Sequence, residues 1–150
     1  MRILLVCALL GAGCGGSSAP PVSVQFSQKM GTPATIGAGF TSSAGKVTLA
    51  DGSITLESHT IDGDLLISCD DPTDPITIAL DEHFLQVDFT LPDGTGWAST
   101  IPTNDTAGTV TFKTVTSPVQ VTIKHMGMTG AGTPAGTGTF FIDGDAEFIQ

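Results

Sequence analysis

Carboxylates gather in one stretch of this chain where metal chemistry could begin. Asp62, Asp64, Asp70, Asp71 and Asp74 bracket the short apolar run Leu65 to Cys69. Ca²⁺ takes several carboxylate and carbonyl oxygens, and loops near both ends of one strand could gather these five side chains. The set lacks the sixth-position Gly and downstream bidentate Glu of an EF-hand loop, so turn chemistry is the competing account. A second acidic set, Asp143, Asp145 and Glu147, alternates along the chain with about 6.5 to 7 Å between successive members, as a solvated strand face does.

Softer donors occur at His125-Met126-Gly127-Met128, a pattern that suits copper, although Met more often fills gaps in a core. The three histidines have neither His-x-His nor His-Glu-x-x-His spacing. His83 and His125 share phase with core-type neighbours (Leu85 and Val87; Val121 and Ile123), which predicts caps at strand ends; His59 falls in the outward phase with Thr55 and Glu57. Nucleophilic catalysis needs a base beside its hydroxyl or thiol. Ser58 and His59 are adjacent and so point to opposite faces of a strand, and no Gly-x-Ser-x-Gly elbow is present. Cys69 shares phase with Leu65 and Ile67, which predicts a small buried thiol. The Gly39 to Gly45-Lys46 segment has one residue too many between its glycines for a phosphate loop, and Val47 stands where a hydroxyl is required. Gly37-Ala38-Gly39 and Gly130-Ala131-Gly132 lack a third Gly in place. A single Trp and no Tyr leave little for a sugar-binding groove. No catalytic residue is assigned, and the chain reads as a non-enzyme.

The elements that must position these groups are strands. The 150 residues are rich in Thr and include 19 Gly and 9 Pro, a mixture that favours short strands and tight turns over helices. Lys46 to Ala50 and Ser53 to Glu57 flank Asp51-Gly52, which predicts a two-residue hairpin with Leu49 facing Ile54 and Val47 facing Leu56. Pro92-Asp93-Gly94 predicts a second hairpin with Phe89 opposite Trp97 and Leu85 opposite Ile101. A third turns at Thr116-Ser117, setting Phe112 against Val121 and Val110 against Ile123. Further strands are expected at Val22 to Ser27, Thr35 to Phe40, Asp64 to Cys69 and Ile76 to Leu80. Phe140, Ile142, Ala146 and Phe148 share one phase, as a long strand bent at Gly144 would, or a hairpin at Asp143-Gly144-Asp145. Gly127 to Gly138 reads as a loop without periodicity. Around ten short strands predict an all-β fold, a single antiparallel β-sandwich with a small β-barrel as the alternative.

Fifteen Asp and Glu stand against five Lys and Arg, a formal net charge of −10. Such a surface repels phosphate backbones and anionic lipid, which argues against nucleic acid as a partner.

The N-terminus carries an address. Met1-Arg2 precedes the apolar run Ile3 to Leu10, then Gly11-Ala12-Gly13 and Cys14. Eight apolar residues are too few to span a bilayer, which takes roughly 20, but they suit the apolar part of a secretory signal. The segment resembles the signal of bacterial lipoproteins, whose lipobox is a Leu, two small residues and a Cys. Leu10 lies one place earlier than in that pattern. The resemblance implies cleavage before Cys14 and a diacylglyceryl thioether on its sulfur, with N-acylation such as palmitate completing a stable anchor. Loss of Arg2 would then make the mature charge about −11. Gly15, where the family's inner-membrane retention signal would be Asp, points to the outer membrane rather than the inner. Gly15-Gly16-Ser17-Ser18-Ala19-Pro20-Pro21 reads as a flexible spacer.

The expected organisation is a signal peptide at 1–13, the lipidated Cys and spacer at 14–21, and one all-β domain at 22–150. The expected role is a cell-envelope lipoprotein held to the membrane by lipid on Cys14, with a non-enzymatic binding or structural domain that contacts an envelope protein or surface polymer. A calcium-binding envelope module using Asp62, Asp64, Asp70, Asp71 and Asp74 is one alternative, and a small periplasmic hydrolase another. No cofactor other than Ca²⁺ is implied.

Overall fold

The computed structural model describes residues 22–28, 36, 39–42, 45–60, 62–72, 76–101 and 105–148. The proposed signal, Cys14 with its spacer, and Asp74 lie outside the described residues.

Eleven strands and no helix make up the described chain. They are β1 (Val22–Gln28), β2 (Gly39–Ser42), β3 (Lys46–Ala50), β4 (Ser53–Thr60), β5 (Gly63–Asp70), β6 (Ile76–Ala79), β7 (Gln86–Thr90), β8 (Gly96–Ser99), β9 (Thr109–Thr114), β10 (Val119–Ala131) and β11 (Thr139–Phe148). They form one antiparallel sheet in the order β2-β1-β11-β10-β8-β7-β5-β4-β3, which curls into a half-barrel and brings β2 back against β4. The protein is therefore all-β, with one antiparallel sheet folded around a single core.

The long strand β10 joins the two parts of this sheet. One side of it pairs with β11 from Val119 to Thr129. The other side pairs with β9 from Gln120 to Lys124, and with β8 from Met128 to Ala131. β6 extends the first branch by pairing with β9.

Alternation supplies the core. Ile54 and Leu56 of β4, Leu65 and Ile67 of β5, Val87 and Phe89 of β7, and Val121 and Ile123 of β10 all turn inward and are buried. Phe26, Phe89, Trp97 and Phe140 meet at ring-centroid separations of 4.9 to 6.3 Å, mostly edge to face, the arrangement that aromatic quadrupoles favour.

The local hairpins have the expected register. Val47 faces Leu56 and Leu49 faces Ile54 across a turn in which Asp51 (φ 50°) and Gly52 (φ 85°) both adopt left-handed conformations. Phe89 faces Trp97, but that ladder ends at Asp88–Ala98, so Leu85 and Ile101 never pair; Leu85 is buried and Ile101 exposed. Phe112 faces Val121 and Val110 faces Ile123, with a register shift near the turn that leaves Lys113 outside the ladder. β11 runs as one strand through Gly144, so no hairpin forms at Asp143-Gly144-Asp145. The strand expected at Thr35 to Phe40 is found as Gly39–Ser42; residues 35, 37 and 38 lie outside the described residues.

Two expectations are corrected. Gly127 to Ala131 belongs to β10, and only the part beyond it forms a loop. Backbone pairing to β11 on one side and β8 on the other needs no side-chain periodicity, so small residues hid the strand. His125 does not follow the core phase of Val121 and Ile123. A bulge between Ile123 and Met126 places two residues of β10, one of them His125 (φ 51°), opposite Asp143 alone, and the extra residue turns the imidazole outward.

Candidate functional site

The outward face of β4, β5, β7 and β8 carries the candidate site. Alternation turns Glu57 and His59 on β4, Asp64 and Leu66 on β5, and Asp88 and Thr90 on β7 away from the core, His59 and Asp64 exposed and the other four half-buried. Antiparallel pairing then arranges them in two rows. Glu57 faces Leu66, which faces Asp88; His59 faces Asp64, which faces Thr90. Together they line an open cleft of about 430 Å³, whose far wall includes Gly96, Trp97 and Ala131.

Three carboxylates and one imidazole dominate its electrostatics. His59 Nδ1 lies 3.0 Å from Asp64 Oδ1, and His59 Nε2 lies 4.0 Å from Glu57 Oε2. Lys46 Nζ reaches Glu57 from the rim at 4.0 Å. Gln86 Nε2 donates to Asp88 Oδ2 at 2.7 Å. Burial nevertheless raises the Asp88 carboxyl above its ordinary value, because one amide donor only partly offsets the lost hydration. Glu57 and Asp88 lie on the strands either side of β5, whose main chains are about 10 Å apart. Among the described residues, no group of three or more His, Cys, Asp or Glu side chains is arranged to hold a metal ion.

The aspartates expected to gather calcium are divided by the strand between them. Asp62 and Asp64 stand at the start of β5, Asp70 and Asp71 at its end, and six residue steps separate Asp64 from Asp70 by about 20 Å. Asp70 accepts from Ser53 Oγ at 2.7 Å, and the Asp71 backbone N–H donates to the Gly52 carbonyl at 2.8 Å. The structure does not bring the two pairs together.

The second acidic set lies on a paired strand face. The His125 backbone N–H donates to Asp143 at 2.8 Å, and Gln120 donates to Glu147 at 2.7 Å. Asp145 accepts from Thr122 and from Lys113, and these bonds hold its carboxyl below the usual range.

The residues of the copper pattern diverge. Met126 and Met128 are fully buried in the core, whereas His125 stacks outside on Phe141 at 4.1 Å and meets Asp105 through Nε2 at 3.2 Å. His83 is exposed in the turn before β7 (φ 50°), so it is not an inward strand cap; His59 is exposed as expected.

Cys69 is buried beside Leu65 and Ile67 as expected. Burial, reinforced by Asp70 and Asp71, pushes its thiol up from 9.0 to about 11. Iodoacetamide at pH 8 is therefore expected to leave Cys69 unmodified in the folded chain and to alkylate it in guanidinium, read by peptide mass mapping. The linked stability is complete below pH 9 and is lost as pH rises toward 11, because the unfolded thiol releases a proton that the folded one retains. Urea unfolding should show that loss as about 1 to 2 kcal/mol, absent in Cys69→Ala.

No protein-family model, curated protein or solved structure matches the chain.

Proposed function

We propose that the protein is a lipid-anchored component of the bacterial cell envelope whose β-domain binds a partner rather than catalysing a reaction. The observation that carries the anchor is Cys14, set behind an apolar run and three small residues and followed by a Gly/Ser/Pro spacer. Gly15 favours the outer membrane. Two features of the domain support binding over catalysis. Its free thiol, Cys69, is buried and held protonated, so it is a poor nucleophile. Its open cleft presents carboxylates and an imidazole whose nitrogens face Asp64 and Glu57, not a hydroxyl to be activated.

Intact-mass analysis of the protein from its native host tests the anchor. The expected product begins at Cys14 and carries three acyl chains, with globomycin treatment leaving an uncleaved precursor. A chain that still begins at Met1, with an unmodified thiol at Cys14, would refute it.

A further inference from the structure

We infer that the outer face of β4, β5 and β7 docks a basic polypeptide segment of a partner protein, with an Lys or Arg side chain lying across Leu66 between Glu57 and Asp88. This deepens the binding role proposed above and rests on that reading of the domain.

The cross-strand register defines what fits. Glu57, Leu66 and Asp88 form one row across three adjacent strands, with an apolar side chain between two carboxylates. An Lys or Arg side chain has the matching pattern, an aliphatic stem that can cover Leu66 and a charged head that can reach either carboxylate. Its several donors suit Asp88, which is half-buried and served by the Gln86 amide. The basic groups already near the row are His59, which faces Asp64, and Lys46 at the rim beside Glu57. Three carboxylates therefore outnumber the resident positive charge.

Charge also selects among occupants. A second copy of this chain, with fifteen acidic and five basic residues, would bring mostly like charge to the face. A cationic sugar polymer would need aromatic platforms for its rings, and the one aromatic residue in the lining, Trp97, is buried in the core.

The test uses the full-length chain purified in detergent, with hexalysine as probe and titration calorimetry at low salt as readout. Glu57→Gln/Asp88→Asn is expected to weaken hexalysine binding at least tenfold. Asp51→Asn/Asp71→Asn, which removes equal charge at the β3–β4 end, should change it less than twofold. Leu66→Lys, which supplies an internal cation, should weaken binding comparably and decides the matter if the double variant does not fold. No measurable hexalysine binding, equal losses in the two double variants, or tighter binding of a glucosamine oligomer would each overturn the proposal. The state of Cys14 is read separately by mass, so an unlipidated chain that retains the tenfold difference refutes the anchor and leaves the docking face in place.

Discussion

Replacing Phe140 with Ala is expected to lower the free energy of unfolding by about 4 kcal/mol, as measured by urea denaturation. Phe140 is fully buried, and its ring lies 5.1 Å from Phe26, 5.7 Å from Trp97 and 6.3 Å from Phe89. Those rings come from β1, β8 and β7, so truncation opens a cavity where several parts of the curled sheet converge. The cost combines lost transfer energy, lost edge-to-face contacts and a void that rigid neighbouring strands fill poorly. Phe140→Leu keeps most of the volume and should cost about half as much. A loss below about 1 kcal/mol for the Ala variant would show that the rings collapse readily, contrary to this account.

Gly136→Ala should cost about 3 kcal/mol, through overpacking rather than a void. A Cβ at Gly136 would sit 1.9 Å from Trp97 Cε2 and 2.3 Å from its Nε1, inside any permitted contact. The loop after β10 crosses the indole by backbone alone, fixed to β8 by hydrogen bonds between Gly136 N–H and the Gly96 carbonyl and between Gly96 N–H and the Pro134 carbonyl. It covers Trp97 so closely that the indole Nε1 is buried without a hydrogen-bond partner among the described residues. Gly132 provides the contrast: its φ of +83° disfavours Ala, but nothing lies within 4 Å of the added carbon. Gly132→Ala should therefore cost only about 1 kcal/mol. Only the Gly136 variant should shift Trp97 emission, and equal costs with an unchanged spectrum would contradict the packing.

What could be read in the sequence was mostly local. Asp51-Gly52 fixed a turn type, and the turn type fixed which of Val47, Leu49, Ile54 and Leu56 face one another. The inward phase of Cys69 followed from its neighbours in the same way. The outward turn of His125 did not, because one extra residue in β10 reverses every phase argument beyond it. Nor did the strand at Gly127 to Ala131, whose ladder is carried by main chain that leaves no pattern of large and small residues. The acidic cleft was harder still. Glu57 and Asp64 are near one another in sequence, but Asp88 joins them only because β7 pairs with β5 across an excursion through β6. The aspartates show the complementary effect: Asp62 and Asp64 are close to Asp70 and Asp71 along the chain, but an extended strand holds the two pairs apart in space.

The sharing of β10 has a consequence for when the domain can assemble. Neither branch of the sheet is complete until β10 and β11 exist, and β1 is the extreme case: one edge pairs early with β2, Ser23 facing Thr41, but the other waits for β11, where Ser23 faces Asp145. Pairings this remote in sequence close late and slowly. The β3-β4-β5-β7-β8 meander can pair locally, but the core stays uncovered on the β1 side until β11 has been made. The same dependence should make the assembled domain yield as a unit, since neither branch can be released without stripping the strand that holds the other.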